Sequence, residues 1–142
     1  MKKKAVTGMK DILPEEMAIR QRILSAIRRV YGRFGFTEIE TPIVEHLENL
    51  LSKQGGDNEK LIFKVEKRGE KLKEAIEKGD FEALSDAGLR YDLTLPLSRF
   101  YAENQAKLPN PFKALQIGPV FRADRPQKGR FREFWQCDID IF

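Results

Sequence analysis

The chain has one cysteine, Cys137, and one histidine, His46, in 142 residues. An internal disulfide needs two cysteines and a structural zinc needs a cluster of ligands, so neither staple is available. The two residues are far apart in sequence, which argues against a Cys/His nucleophilic pair or a metal site. Cys137 reads as a small buried apolar side chain and His46 as a loop or strand-end residue. No apolar run approaches the roughly 20 residues that span a bilayer. Met1-Lys2-Lys3-Lys4 is basic, but no long apolar segment follows it, as a secretory signal would require. These absences point to a reduced, cytoplasmic setting without membrane. Two nucleotide signatures are also missing, the Gly-x-x-x-x-Gly-Lys-Ser/Thr loop and the dinucleotide fingerprint. A nucleotide bound here would have its phosphates held by arginines on a sheet. Arginine suits that task because it stays charged and clamps two phosphate oxygens at once.

What the chain does have is charge, and its placement matters more than its amount. The length suits one domain with a real core. Charged residues make up 34% of the sequence and the net charge is +4. From Arg122 to Arg132 there are five cations, Arg122, Arg125, Lys128, Arg130 and Arg132, against the single anion Asp124. That local excess equals the excess of the whole chain. A solvated loop would account for it, but alternation sets at least two of these cations on the same strand face as an aromatic and two carboxylates. Beyond the turn, residues alternate strictly: Arg130, Arg132, Phe134, Gln136, Asp138 and Asp140 on one face, and Phe131, Glu133, Trp135, Cys137, Ile139 and Ile141 on the other. The expectation is a polar chemical surface on one side and core on the other.

Upstream, Pro14 with Glu15 and Glu16 is a helix start. Met17, Ile19, Ile23, Leu24, Ile27, Val30, Tyr31 and Phe34 recur at helical spacing, and Gly35 ends the pattern. Phe36 to Val44 reads as a strand whose Pro42 belongs at an edge or a break in pairing. This helix and strand suit either a subunit interface or a capped edge. Leu47 to Gln54 suggests a helix closing on Gly55-Gly56-Asp57-Asn58, and Leu61 to Val65 a short strand. Residues 66–86 are rich in Lys and Glu with sparse apolar positions, a surface insertion split into two short helices at Gly79-Asp80. In Leu89-Arg90-Tyr91-Asp92-Leu93-Thr94-Leu95, alternation places Arg90, Asp92 and Thr94 together. Pro96-Leu97 then opens a helix. Strands separated by helices, closing on an antiparallel hairpin, predict an α+β domain with a largely antiparallel sheet flanked by helices.

Phe121-Arg122-Ala123-Asp124, the basic turn, and Arg130-Phe131-Arg132-Glu133-Phe134 resemble motif 2 of the class II aminoacyl-tRNA synthetases. The helix from Glu15 and the strand ending near Pro42 resemble motif 1. The wording of Gly118-Pro119-Val120-Phe121-Arg122, of Arg125-Pro126-Gln127-Lys128-Gly129-Arg130-Phe131-Arg132 and of Gln136-Cys137-Asp138-Ile139-Asp140-Ile141 is similar to the histidyl branch of that family. Leu89-Arg90-Tyr91-Asp92-Leu93-Thr94 resembles its first histidine-binding segment, and Gly8-Met9-Lys10-Asp11 its opening. The resemblance therefore assigns motif 1 to about 15–44, the histidine-binding segment to 89–95 and motif 2 to about 112–142, with 66–86 outside it.

The resemblance implies the partial fold of a class II catalytic domain and a histidine–tRNA ligase. Its substrates would be ATP with magnesium, L-histidine and tRNA(His), with no zinc and no protein metal ligand. The enzyme would be a homodimer joined through the motif 1 helix and strand. Arg122 would be the catalytic residue, holding the α-phosphate of ATP and the carboxylate of histidine. Arg130 would contact the distal phosphates and Phe134 would stack on adenine. Asp124, where the motif more often has Glu, would lie near the adenine amino group. Asp92 and Thr94 would receive the α-amino group, and Gln136 and Asp140 would line the amino-acid pocket. The resemblance further implies an N-terminal part of the synthetase, with motif 3 and the anticodon-binding domain outside the chain and weak or no activation by this part alone. The resemblance also leaves open a non-catalytic synthetase paralogue of the kind that regulates ATP phosphoribosyltransferase, against which the intact set Arg122, Arg130, Asp92 and Thr94 argues, and the basic turn and arginine-bearing helix leave open a non-enzymatic RNA-binding module.

Overall fold

A computed structural model of the chain describes residues 1–51 and 59–142. It opens with helix α1, Pro14–Arg33, which has Pro14 at its first turn, Glu15 and Glu16 beside its positive end and Arg33 in its last turn. The helix closes on Gly35, whose φ of 79° lies in the left-handed region. Of its apolar stripe only Leu24 is buried, while Ile19, Ile23 and Val30 are about half exposed.

The single strand expected over Phe36 to Val44 is two short strands in two different sheets. β1, Thr37–Ile39, runs parallel to β5, Lys113–Phe121. β2, Val44–His46, pairs antiparallel with β4, Ser85–Leu89. Pro42 falls between them, at the break in pairing that a residue without an N–H donor favours. His46 closes β2, the strand-end position expected for it.

The first sheet has the order β1-β5-β6, with β6, Glu133–Ile141, antiparallel to β5 along its whole length. The second has the order β2-β4-β3, with β3, Lys64–Glu66, antiparallel to β4. Helices α2, Leu47–Leu50, α3, Glu70–Glu77, and α4, Thr94–Asn104, complete the α+β arrangement. The end of the helix expected over Leu47 to Gln54, and the loop Gly55 to Asn58, lie outside the described residues. The strand expected over Leu61 to Val65 begins later, because Glu59–Leu61 form a 3-10 turn.

The Lys/Glu segment 66–86 does split as expected. α3 ends near Gly79, whose φ is 66°, and a 3-10 turn follows at Glu82–Leu84. It is nevertheless anchored in the second sheet, since Glu66 pairs with Ser85.

Two cores hold the layers. Leu47, Leu50, Ile62 and Tyr91 pack beneath the second sheet with Leu95 against them. Leu97, Phe112 and Ala114 form the other, with Ile39, Phe100, Tyr101 and Leu108 packed around. Phe142 stacks on Tyr101 with ring centroids 4.3 Å apart, tying the end of β6 to α4.

Two expectations are corrected here. The odd-numbered face of β6, expected to be core, is the more open one: Trp135, Ile139 and Ile141 are exposed, and so is Cys137. α1 covers that face only at points, as where Arg20 lies over the Trp135 ring at 5.1 Å. The polar face, with Phe134, Gln136, Asp138 and Asp140, is the half-buried side. The second correction concerns 89–95. The strand stops at Leu89, and Thr94 is already the first residue of α4, so Asp92 and Thr94 do not share a strand face. Asp92 accepts the N–H of Leu95 at 3.3 Å, a local bond that turns the chain into the helix. Arg90 points inward and is 3% exposed.

Candidate active site

The β5–β6 hairpin carries the cationic turn, and its base is tightly bonded. Arg122 donates its N–H to the Arg132 carbonyl at 2.8 Å, and Gln127 and Arg130 bond reciprocally across the turn. Gly129, with φ of 78°, supplies the left-handed residue such a turn needs. Arg130 lies in the turn rather than in β6, so strand alternation places Phe134, Gln136 and Asp140 together but does not extend to Arg130.

The Arg130 guanidinium instead grips Asp124, with Nε at 3.0 Å and Nη2 at 2.5 Å from the same carboxylate oxygen. Asp124 is 18% exposed and Arg130 58%. Arg132 closes the arrangement from below, donating its side-chain Nε–H to the Asp124 carbonyl at 2.9 Å and its backbone N–H to the Gly8 carbonyl at 2.7 Å. The lead-in Thr7-Gly8-Met9 thus straps the hairpin. Gly8 has φ of 86°, and a methyl group there would come within 2.7 Å of Arg132 Cγ. Sequence reasoning gave Gly8 no such task.

Arg122 sits where the hairpin meets the segment before α4. Its Nε–H donates to the Tyr91 carbonyl at 3.1 Å, and its guanidinium lies over the Phe134 ring, 5.0 Å from the centroid. Asp92 is close enough to feel that charge. Burial pushes the Asp92 carboxyl up, while the N–H groups of Leu95 and Thr94 and the Arg122 cation draw it back without cancelling the rise. Asp138 is also pushed up, by burial first and then by the neighbouring charges of Asp140 and Asp92. Asp140 and Asp92 thus act on Asp138, and Arg122 acts on Asp92.

Gln136 stands opposite Gly118 on this face, and its Oε1 is buried with no hydrogen-bond partner among the described residues. A buried acceptor left open costs stability unless something fills it. Asp140 lies opposite Ala114 and is half-buried. Thr94 is exposed at the start of α4. Beside the even-numbered face of β6, with its Phe134 ring, its carboxylates and one unmatched amide oxygen, lie the Arg122 cation and the Asp92 carboxylate.

Comparison with known proteins shows the family to which the chain belongs. A family model described as histidyl-tRNA synthetase matches residues 8–142. The chain belongs to the histidyl-tRNA synthetase family. It is 56% identical over 137 residues to a histidine–tRNA ligase of Leifsonia xyli, covering 94% of this chain and 32% of the relative. Against a histidine–tRNA ligase of Porphyromonas gingivalis it is 46% identical over 142 residues, again covering 94% of this chain, and 31% of the relative. The chain spans about a third of the length of these relatives. The crystal structure of histidyl-tRNA synthetase from Nostoc sp. PCC 7120 superimposes with a TM-score of 0.77 at 35% identity, over 99% of this chain and 28% of that one. A structure titled ATP phosphoribosyltransferase regulatory subunit/histidyl-tRNA synthetase, from Bacillus halodurans C, gives a TM-score of 0.75 at 23% identity, over 98% of this chain and 32% of that one, a likeness of fold.

Seen as a synthetase domain, the chain gathers Asp92, Arg122, Phe134 and Gln136 on one floor and keeps Arg130 and Asp124 together above it. Sequence reasoning placed Asp138 on this face but gave it no part in the site. It also missed Arg90, whose neighbours in sequence are apolar: Ala87-Gly88-Leu89 before it and Tyr91 after. Among the described residues, no three or more His, Cys, Asp or Glu side chains gather as a group that could hold a metal ion, and no helix is long and apolar enough to cross a membrane.

Proposed function

We propose that this chain forms the ATP- and histidine-binding floor of a histidine–tRNA ligase, the enzyme that activates L-histidine to histidyl-adenylate and transfers it to tRNA(His). The observation that carries the reading is the approach of Arg122 to both the Phe134 ring and Asp92, beside the strand face of β6 that also carries the unmatched Oε1 of Gln136. Arg122 is the catalytic residue. Its guanidinium holds the α-phosphate and the histidine carboxylate, so that a carboxylate oxygen attacks phosphorus in line and pyrophosphate leaves. The attacking group is already an anion, so the step needs no general base. Catalysis is positioning together with stabilisation of phosphoryl charge. Arg130 takes the distal phosphates, Phe134 supports adenine and Asp124 lies at the adenine edge. Asp92 and Thr94 receive the α-ammonium group, while Gln136 and Asp140 complete the histidine pocket.

Magnesium would arrive as the counter-ion of the nucleotide and offset part of its phosphate charge. What this chain contributes to phosphate charge is its arginines. The protein would act as a cytoplasmic homodimer joined through α1 and the segment that follows it, β1 to Pro42, a reading supported by the half-exposed Ile19, Ile23 and Val30 of α1.

Calorimetry of the chain with a non-hydrolysable histidyl-adenylate analogue, and separately with tRNA(His), tests the function. The reading expects saturable analogue binding that Arg122→Ala abolishes. Binding of tRNA alone would contradict it in favour of a basic RNA module. Histidine binding that is indifferent to nucleotide would favour a non-catalytic paralogue. ATP–pyrophosphate exchange by the chain alone is expected to be weak or absent, so exchange near the rate of a full-length synthetase would overturn that expectation.

A further inference from the structure

Beneath the floor lies a polar circuit that the proposed chemistry does not use. Arg90, Thr41 and Gln116 are each buried to within 3% exposure. Arg90 Nη1 donates to the Thr41 carbonyl at 2.6 Å and to its hydroxyl at 3.2 Å. That hydroxyl donates to Gln116 Oε1 at 3.0 Å, and Gln116 Nε2 donates to the Leu93 carbonyl at 2.9 Å. Donors and acceptors therefore run in one direction, from Arg90 through Thr41 and Gln116 back to the chain three residues after Arg90. Arg90 Nε also donates to the Pro119 carbonyl at 2.9 Å. Its backbone N–H reaches Ile43, and its carbonyl accepts the N–H of Phe121, each at 2.9 Å.

The circuit closes around the segment that bears Asp92. Arg90 fixes one end and the Leu93 carbonyl the other, and between them the Tyr91 carbonyl accepts Arg122. Phe121, bonded to Arg90, is the residue before Arg122. Gly118 leaves the space that this demands, since a methyl group there would fall on Arg90 Nη2. A buried guanidinium held through both Nε and Nη1 is a rigid element, and a network of this kind fixes one geometry out of several that packing alone would allow.

We infer that Arg90, acting through Thr41 and Gln116, is a positioning residue that sets Asp92 and Arg122 at the spacing needed to hold an α-amino acid between them. The inference rests on the proposed function, since it concerns the spacing of groups assigned there. It assigns nothing to Arg130, which lies in the hairpin turn outside the circuit.

That difference supplies the test. Thr41→Val removes the hydroxyl from the middle of the circuit at nearly constant volume, and Arg90→Lys keeps the charge but loses the fork. The unaltered chain and both variants would be titrated with the histidyl-adenylate analogue and, separately, with inorganic pyrophosphate as a probe of Arg130. Analogue affinity is expected to fall on the order of tenfold or more in both variants, because small displacements of aligned groups are costly. Pyrophosphate affinity is expected to stay within about twofold. Exchange of the Arg122 Nε proton, followed by NMR without ligand, is expected to quicken in both variants while the Gln127 and Arg130 amides keep their rates. Parallel loss of both affinities, with general quickening of exchange, would mean a merely structural role and overturn the inference. Unchanged analogue affinity would overturn it equally. If the unaltered chain binds pyrophosphate but not the analogue, the functional reading fails first and the positioning role falls with it.

Discussion

At the scale of single residues, the Asp124–Arg130 pair is the most informative. The resemblance assigned both to ATP, but in the free chain they hold each other, two guanidinium nitrogens on one carboxylate oxygen. A phosphate arriving at Arg130 competes with Asp124. Asp124→Asn is therefore expected to raise pyrophosphate affinity by about two- to fivefold, the range an ion pair with one exposed partner is worth. Calorimetry reads this directly, and a weakened affinity would mean that Asp124 helps the anion rather than opposing it. Glu45 gives a second, independent residue-level result. It is 3% exposed and bonded by Arg99 Nε at 2.6 Å, by the His46 N–H at 3.0 Å and by Asn49 at 3.2 Å. Burial pushes its carboxyl up, but these partners outweigh burial and hold it below the ordinary range. A carboxyl lowered on folding stabilises the native state above its unfolded value, near 4.3, and that stability is lost as pH falls through the lowered folded value. Glu45→Gln is expected to cost about 2 kcal/mol at pH 7, since Arg99 keeps some solvent. The gap between the two proteins should close below about pH 4 in urea titrations. A gap independent of pH would mean that the charge of Glu45 contributes nothing.

At the scale of elements, what the sequence disclosed depended on whether hydrogen bonding stayed local. The α1 boundaries, the split at Gly79 and the alternation of β6 follow from nearest-neighbour rules, and all were legible. The errors had two sources: a local side-chain bond that competes with strand alternation, and long-range partners that alternation cannot reveal. Residues 89–95 alternate like a strand, yet the Asp92 side chain bonds the next turn and starts α4 early. Arg90 then turns inward, because Thr41 and Pro119, distant in sequence, supply carbonyls that alternation cannot reveal. The face of β6 was likewise legible as polar against apolar, but burial depends on what lies over it, and α1 leaves the apolar side open. The strap at Gly8 was invisible for the same reason, since its partner Arg132 lies at the far end of the chain. Gly8→Ala is expected to cost about 1–3 kcal/mol from its left-handed backbone, and more from the collision with Arg132. Hydrogen exchange should then quicken at the Arg132 amide while β5 and β6 stay protected. Unaltered exchange at Arg132 would remove the strap from the account.

For the whole molecule, the open apolar surfaces set the expectation. α1 presents Ile19, Ile23 and Val30, and the outer face of β6 presents Trp135, Ile139 and Ile141. Exposed large apolar side chains grouped on one element are surface that a partner protein would cover. Sedimentation is expected to find concentration-dependent dimers that Ile23→Lys with Val30→Lys converts to monomers while the fold persists. Monomers at all concentrations in the unaltered chain would remove α1 from the proposed interface. The site itself faces the other way, on the half-buried side of the first sheet, so association through α1 leaves it open.

The most direct measurement is chemical-shift mapping of the labelled chain with the histidyl-adenylate analogue. The account predicts that the largest perturbations fall on Asp92, Arg122, Phe134, Gln136 and Asp140, with the Gln136 side-chain amide moving as its Oε1 gains a donor. Perturbations confined to the outer face of β6 or to α1, with that floor unmoved, would contradict it.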